Sequence, residues 1–205
     1  MIIAVDGPAA SGKGTIAKAL AAHFRLPFLD TGLLYRAVGF SVLEAGGDPS
    51  DAATVLEHCA FDEALLGDPR LKSEAAGQAA SAASAHPHVR AALLKRQQDF
   101  ANQPGGAVLD GRDIGTVIAP HADAKLYVTA SPEERAKRRA AEEGLPGYEA
   151  ILSDILSRDA RDSGRDAAPL RQAADADLLD TTNLSIDAAV QQAIALVEAQ
   201  LSRHR

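Results

Sequence analysis

Residues Gly7-Pro8-Ala9-Ala10-Ser11-Gly12-Lys13-Gly14-Thr15 stand between a short β-branched run, Ile2 to Asp6, and an apolar pattern of helical spacing at Ile16, Leu20 and Phe24. A glycine, four residues and then Gly-Lys is the spacing of a loop whose backbone N–H groups converge on phosphate oxygens. The helix that follows adds partial positive charge, and the lysine reaches the outer phosphates. Because the loop directly follows a buried strand and opens a helix, it predicts strand, phosphate loop, helix, and it marks Gly7, Pro8, Ala9, Ala10, Ser11, Gly12, Lys13, Gly14 and Thr15 as nucleotide-binding. One position departs from the common form. The Ser or Thr that usually follows the lysine and ligates magnesium is Gly14, with Thr15 one place later.

The rest of the chain repeats short apolar runs alternating with helical patterns. Pro27 to Asp30, Ala107 to Asp110, Lys125 to Thr129 and Asp177 to Asp180 read as further buried strands. Thr31 is placed to cap a helix carrying Leu34, Val38 and Val42, and Asp48 to Ala60 predicts one further short helix. An Ala-rich helix over Glu74 to Ala85 has little apolar character. Pro87 starts another helix, Pro132 to Glu143 forms a charged one, and Gly144, Pro146 and Gly147 break the chain. From about Tyr148 a charged helix runs into Arg158 to Pro169, where apolar residues nearly vanish, which predicts an exposed, mobile cover. Ile186, Val190, Ile194, Val197 and Leu201 give the last amphipathic helix. Strands alternating with helices argue for a parallel sheet with helices on both faces.

Composition narrows the chemistry. A net charge of −7 argues against a sequence-independent nucleic-acid binder or a membrane-surface protein. Arginine nonetheless far outnumbers lysine, and most arginines fall between Arg90 and Arg171, a bias towards the side chain that grips phosphate or carboxylate with a planar fork. One cysteine, Cys59, excludes an internal disulfide and points to a reducing compartment. The start of the chain lacks the basic and apolar regions of a signal peptide, and no apolar stretch is long enough to span a membrane, so a cytoplasmic protein is expected. His23, His58, His86, His88, His121 and His204 show no ligand spacing, and none is assigned to metal or catalysis.

The Gly-Lys-Gly-Thr form resembles nucleoside monophosphate kinases. The match narrows with Leu29-Asp30-Thr31-Gly32, Tyr35-Arg36, Ala79-Ala80-Ser81, Pro87-His88-Val89-Arg90, Asp110-Gly111-Arg112-Asp113-Ile114-Gly115-Thr116 and the spaced set Arg158, Asp159, Arg161, Asp162 and Arg165. Together these resemble the bacterial cytidylate kinases almost end to end, although residues 61–69 are shorter than the family's usual insert. The resemblance implies a phosphate-loop three-layer α/β/α fold with a five-stranded parallel sheet, an NMP-binding insert and a helical lid. The core would span about 1–60, 86–147 and 172–205, the insert about 61–85 and the lid about 148–171. It further implies transfer of the γ-phosphoryl group of ATP to CMP, and to dCMP, by a monomer that uses Mg²⁺ and neither nucleic acid nor membrane. Lys13, Arg158, Arg161 and Asp110 would be catalytic. Positions matching Ser81, Arg90 and Asp113 contact cytosine, those matching Asp162 and Arg158 the sugar, and those matching Arg36, Arg112 and Arg165 the phosphate, with Thr31 also among the CMP-binding residues.

Chemistry apart from the resemblance points the same way. Phosphoryl transfer between nucleotides needs several positive groups around an in-line transition state and no covalent intermediate. Arg158, Arg161 and Arg165, if helical, form one guanidinium row; the alternative is a solvated charged face. Cytosine offers an amino donor beside two acceptors, so a carboxylate with a guanidinium or hydroxyl donor, as in Asp113, Arg90 and Ser81, suits it. Asp113 as a helix cap, Ser81 as a packed small residue and Arg90 in a surface ion pair are the bland alternatives. Asp110 ends a strand where phosphate-loop enzymes place a magnesium-organising acid, and Asp30 could share that role; a fold-stabilising ion pair is the other reading for each. A kinase of the same scaffold acting on AMP, UMP or shikimate is the nearest rival. A GTPase-type switch would need Asn-Lys-x-Asp and Asp-x-x-Gly elements that the chain lacks.

Overall fold

The computed structural model of the chain describes residues 1–143 and 147–203. Five strands, β1 (Ile2–Asp6), β2 (Phe28–Asp30), β3 (Ala107–Gly111), β4 (Ala124–Thr129) and β5 (Asp177–Asp180), form one sheet in the order β2-β3-β1-β4-β5. β1 pairs in parallel with β3 and β4, and β4 with β5. Every residue of β1 and β3 is buried, which is why both read as continuous apolar runs and not as alternating ones. The register sets Val5 opposite Asp110 and Asp6 opposite Gly111, so two acids end neighbouring strands at the same edge.

Helices α1 (Lys13–Phe24) and α8 (Ile186–Arg203) pack on the sheet: Ile16, Leu20, Ala193 and Val197 join Ile3, Val5, Leu126, Val128 and Leu179 in one apolar cluster. Each large side chain removed fully from water there contributes about 1.5–3 kcal/mol. The chain divides into two compact units, residues 1–29 with 100–205, and residues 30–99. The first unit also carries α6 (Pro132–Glu143) and α7 (Tyr148–Ser163).

The second unit holds α2 (Thr31–Glu44), α3 (Ala52–Glu57), two 3₁₀ turns at Glu63–Gly67 and Pro69–Lys72, α4 (Glu74–Ala83) and most of α5 (Pro87–Ala101). No strand interrupts it. Close approach explains the Ala-rich helix: a Cβ at Gly39 on α2 would lie 2.7 Å from the Ala79 carbonyl carbon of α4. Ala76, Gly77, Ala79, Ala80, Ser81 and Ala83 are all buried by this contact, so small residues here make a packing surface that hydropathy does not reveal.

Several local expectations are corrected. The cap of α2 is Asp30, whose Oδ1 accepts from the Gly32 N–H at 2.9 Å, and Thr31 is the first helical residue. The helix expected over 48–60 shrinks to the six residues of α3, because Asp51 caps it by accepting from the Thr54 N–H. α7 stops at Ser163 before Gly164, so Arg158 and Arg161 are helical and Arg165 is not; the three do not form one helical row. The stretch expected to be an exposed cover is not exposed throughout: Asp162 is buried within it, and Ile155 is buried on the same helix just before it. A π-helical turn, Ile114–Ile118, follows Asp113 where no regular element was expected. The chain break expected at Gly144 and Pro146, and His204, lie outside the described residues.

Candidate active site

The phosphate loop folds as its glycines require. Gly7 has φ +153°, and a Cβ there would fall 2.0 Å from the Val128 carbonyl oxygen, a contact no side chain survives. Gly12, at φ 83°, is the left-handed N-cap of α1, and its carbonyl accepts from the Thr15 and Ile16 N–H groups. Ala10 holds φ 58° without being glycine, local strain of the kind that gathers at ligand-binding loops. From outside the loop, Arg135 on α6 donates to the Ala9 carbonyl at 3.2 Å and Thr181 Oγ1 donates to the Ser11 carbonyl at 3.1 Å. With these carbonyls turned outward and held, the loop's N–H groups are left to face an anion. Ser11 Oγ is itself buried with no hydrogen-bond partner among the described residues.

Lys13 Nζ lies 3.7 Å from Asp110 Oδ1, both largely shielded from solvent. A Cβ at Gly14 would come 3.2 Å from Asp110 Oδ2. The carboxylate therefore occupies the space beside the position where the common motif carries a hydroxyl, and the glycine there leaves it room. Asp6, at the end of β1, is buried, and its oxygens accept from the Ile114 and Gly115 N–H groups at 2.8 Å each. Burial, reinforced by the carboxylates of Asp113 and Asp110, pushes its carboxyl up to about 7 against the lowering effect of those two N–H groups.

α7 is tied to this unit by ion pairs. Arg112 Nε donates to Asp162 Oδ2 at 3.0 Å, and the Arg135 guanidinium donates to both oxygens of Asp159. Burial raises the Asp162 carboxyl, but the guanidinium groups of Arg112, Arg165 and Arg158 outweigh it and hold the group below the ordinary carboxylate range. The structure thus gathers Arg112, Arg158, Asp162 and Arg165 into one electrostatic cluster. Arg161 stands exposed on α7.

Beside the loop a cavity of about 280 Å³ begins at Ser11, Gly12 and Thr15 and is walled by Arg138, Thr181, Leu184, Ile186 and Ala189. Arg138 is fixed there by donating to the Thr181 carbonyl at 2.7 Å and to its Oγ1 at 2.9 Å. Sequence reasoning missed Arg135, Arg138 and Thr181. The only available signal was an arginine-rich helix, which reads as a solvated face, and a threonine after a strand-ending acid.

In the second unit Arg36 on α2 donates to the Leu71 and Ser73 carbonyls at 2.7 and 3.0 Å. Its guanidinium lies flat against α4, where a Cβ at Gly77 would come within 3.0 Å of Nη2. The Arg90 guanidinium sits over the Tyr35 ring at 5.4 Å and donates to the Ser84 carbonyl, while Ser84 Oγ donates to the Ser81 carbonyl. Ser81 and Arg90 are buried, so Arg90 is no surface ion pair. Thr31 is buried at the start of α2. Among the described residues no three His, Cys, Asp or Glu side chains gather to hold a metal ion, and no helix is long and apolar enough to cross a membrane.

A parallel sheet ending in a glycine-lined phosphate loop, with a lysine and a buried acid at its mouth, defines a nucleotide-binding protein of the phosphate-loop kinase fold. A gluconokinase structure from Sinorhizobium meliloti shares that fold at TM-score 0.56 and 17% identity, covering 98% of this chain and 94% of that one. So does an uncharacterized protein from Eubacterium ventriosum, at TM-score 0.61 and 16% identity over 97% and 98% of the two chains. Residues 3–199 match the family profile described as Cytidylate kinase. Curated relatives carrying that name are 58% identical in Rhodopseudomonas palustris, over 97% of this chain and 96% of the relative, and 58% identical in Cereibacter sphaeroides, over 99% and 98%. The chain belongs to the cytidylate kinase family.

Proposed function

We propose that this protein transfers the γ-phosphoryl group of ATP to CMP, and to dCMP, giving the nucleoside diphosphate and ADP. The observation that carries the reading is Lys13 beside the buried Asp110 at a phosphate loop, in a chain that matches the family profile from residue 3 to residue 199. Acceptors such as AMP, UMP or shikimate are disfavoured by that match.

Backbone N–H groups between Ala9 and Gly14 bind the β- and γ-phosphates, and Lys13 bridges their oxygens as charge develops. The cavity walled by Arg138, Thr181 and Leu184 receives the base of ATP. On the acceptor, Arg36, Arg112 and Arg165 hold the phosphate, Asp162 and Arg158 the sugar, and Asp113, Ser81 and Arg90 the cytosine edge, with Thr31 beside them. Arg112 enters this role pre-oriented by Asp162, which removes one source of ordering entropy. Arg158 and Arg161 neutralise the phosphoryl group in flight. No side chain is covalently modified, so positioning and charge supply the acceleration.

Mg²⁺ arriving with ATP would neutralise phosphate charge and fix the geometry of the terminal phosphates. Asp110 fits its outer coordination sphere, being a buried carboxylate against Gly14. Asp30 fits less well, since its Oδ1 already caps α2. The protein is proposed to act as a cytoplasmic monomer without nucleic acid.

Measuring ADP formation over AMP, GMP, UMP, CMP and dCMP tests the assignment. CMP and dCMP should give the highest kcat/KM; a preference for AMP or GMP would overturn it.

A further inference from the structure

We propose that Asp6 is a positioning residue for recognition of the acceptor base, holding the turn that presents Asp113. The inference rests on the reading above that Asp113 contacts cytosine.

The turn Ile114–Ile118 begins with N–H groups that no residue within it satisfies. The residue expected to cap them is Asp113, which precedes the turn, yet its side chain makes no capping hydrogen bond. Asp6 does that work from another strand, one oxygen to the Ile114 N–H and the other to the Gly115 N–H, both at 2.8 Å. The Asp113 carbonyl is pinned from the opposite side by the Val117 and Ile118 N–H groups at 2.9 and 3.1 Å. The peptide unit leaving Asp113 is thereby held at both its carbonyl and its N–H, while the Asp113 carboxylate takes no part in the cap. Gly115 completes the fit: a Cβ there would stand 3.1 Å from Lys125 Cδ and 3.4 Å from Asp6 Oδ2.

Stability alone does not account for the arrangement. Asp6 is a buried acid facing the carboxylates of Asp113 and Asp110, an environment that raises its carboxyl to about 7. Asp6 also immediately precedes Gly7, so the turn that carries the base reader is bolted to the residue from which the phosphate loop springs.

The test is steady-state kinetics with CMP and UMP on the wild type, Asp6→Asn, Asp113→Asn and the double variant. Asparagine keeps one acceptor and turns its amide N–H₂ against a backbone N–H, so the turn loses one tie without losing volume. Asp6→Asn should lower kcat/KM for CMP by about tenfold and for UMP much less, and the double variant should narrow the CMP to UMP ratio no further than Asp113→Asn alone. Equal losses for both bases would mark a merely structural role and overturn the inference, as would independent, additive narrowing in the double variant. An unchanged ratio in Asp113→Asn would sink the base-reading assignment, and this inference with it. If Asp6→Asn does not fold, as judged by circular dichroism and thermal melting, Gly115→Ala displaces the same turn by a few tenths of an ångström. That variant should narrow the ratio in the same direction, and an unaltered ratio would overturn the proposal.

Discussion

The phosphate loop and Arg36, both proposed to bind phosphate, are built in opposite ways. The loop is backbone: its conformation follows from glycines at 7 and 12, from helix α1 behind it and from carbonyls tied back by Arg135 and Thr181. Arg36 is a long side chain whose head is steadied by two carbonyls of a 3₁₀ segment and by the missing Cβ of Gly77. A backbone site needs its residues contiguous and in fixed spacing, so it is written as a motif. A side-chain site is assembled from distant positions, several of which contribute only by being small.

The largest test of this contrast is Lys13→Ala. It leaves the loop backbone in place and removes the loop's own cation, whose hold strengthens towards the transition state, so kcat should fall by roughly three powers of ten or more, a loss of ~4 kcal/mol. Near wild-type turnover would show that backbone alone suffices. Arg161→Ala comes next: an exposed side chain on α7 acting only on the transferring group should cost about a hundredfold in kcat while leaving both KM values within a few-fold. An effect confined to KM would make it a static binding group.

Gly77→Ala sharpens the comparison most directly. The added methyl presses on a guanidinium that two carbonyls prevent from moving away, so KM for CMP should rise by about fivefold to tenfold with KM for ATP unchanged. The melting temperature should not fall, because alanine favours a helix over glycine by ~1 kcal/mol. Equal loss of stability and affinity would show that the glycine serves packing alone.

The smallest effect concerns Asp162. Its folded carboxyl is held below the ordinary value of 3.8, so it contributes stability above that pH which is lost as pH falls through 3.8 towards the depressed value. Urea melts should therefore show the advantage of wild type over Asp162→Asn at pH 6 shrinking below pH 4.

β1 and β3 were legible because burial on both sides leaves an unbroken apolar run, and the loop because anion binding by backbone imposes a fixed spacing; β2 and β5, also expected to be buried, lie at the sheet edges, where β2 is only partly covered and β5 buries Leu179 alone. The π-helical turn after Asp113 was not legible, since it follows neither of the regular periodicities and its cap comes from Asp6 on another strand. Asp30, not Thr31, took the cap of α2; both are good capping residues, and only the chain's exit from β2 decides between them. Arg165 left the helix because Gly164 ended it, a stop whose position within a charged run carries no hydrophobic marker. Arg135 and Arg138 were invisible for the reason that charged helix faces usually are: sequence does not say which side of α6 is covered.

The contact between Gly14 and Asp110 ties the mutational fates of two distant positions together. A side chain at 14 would meet the carboxylate at 3.2 Å, so a return to the common serine or threonine requires the acid to give way by a few tenths of an ångström. Shortening the acid first would remove the group beside Lys13 before any hydroxyl had replaced it. The effects of substitution at 14 and at 110 should therefore be coupled, each setting the room and the charge that the other meets.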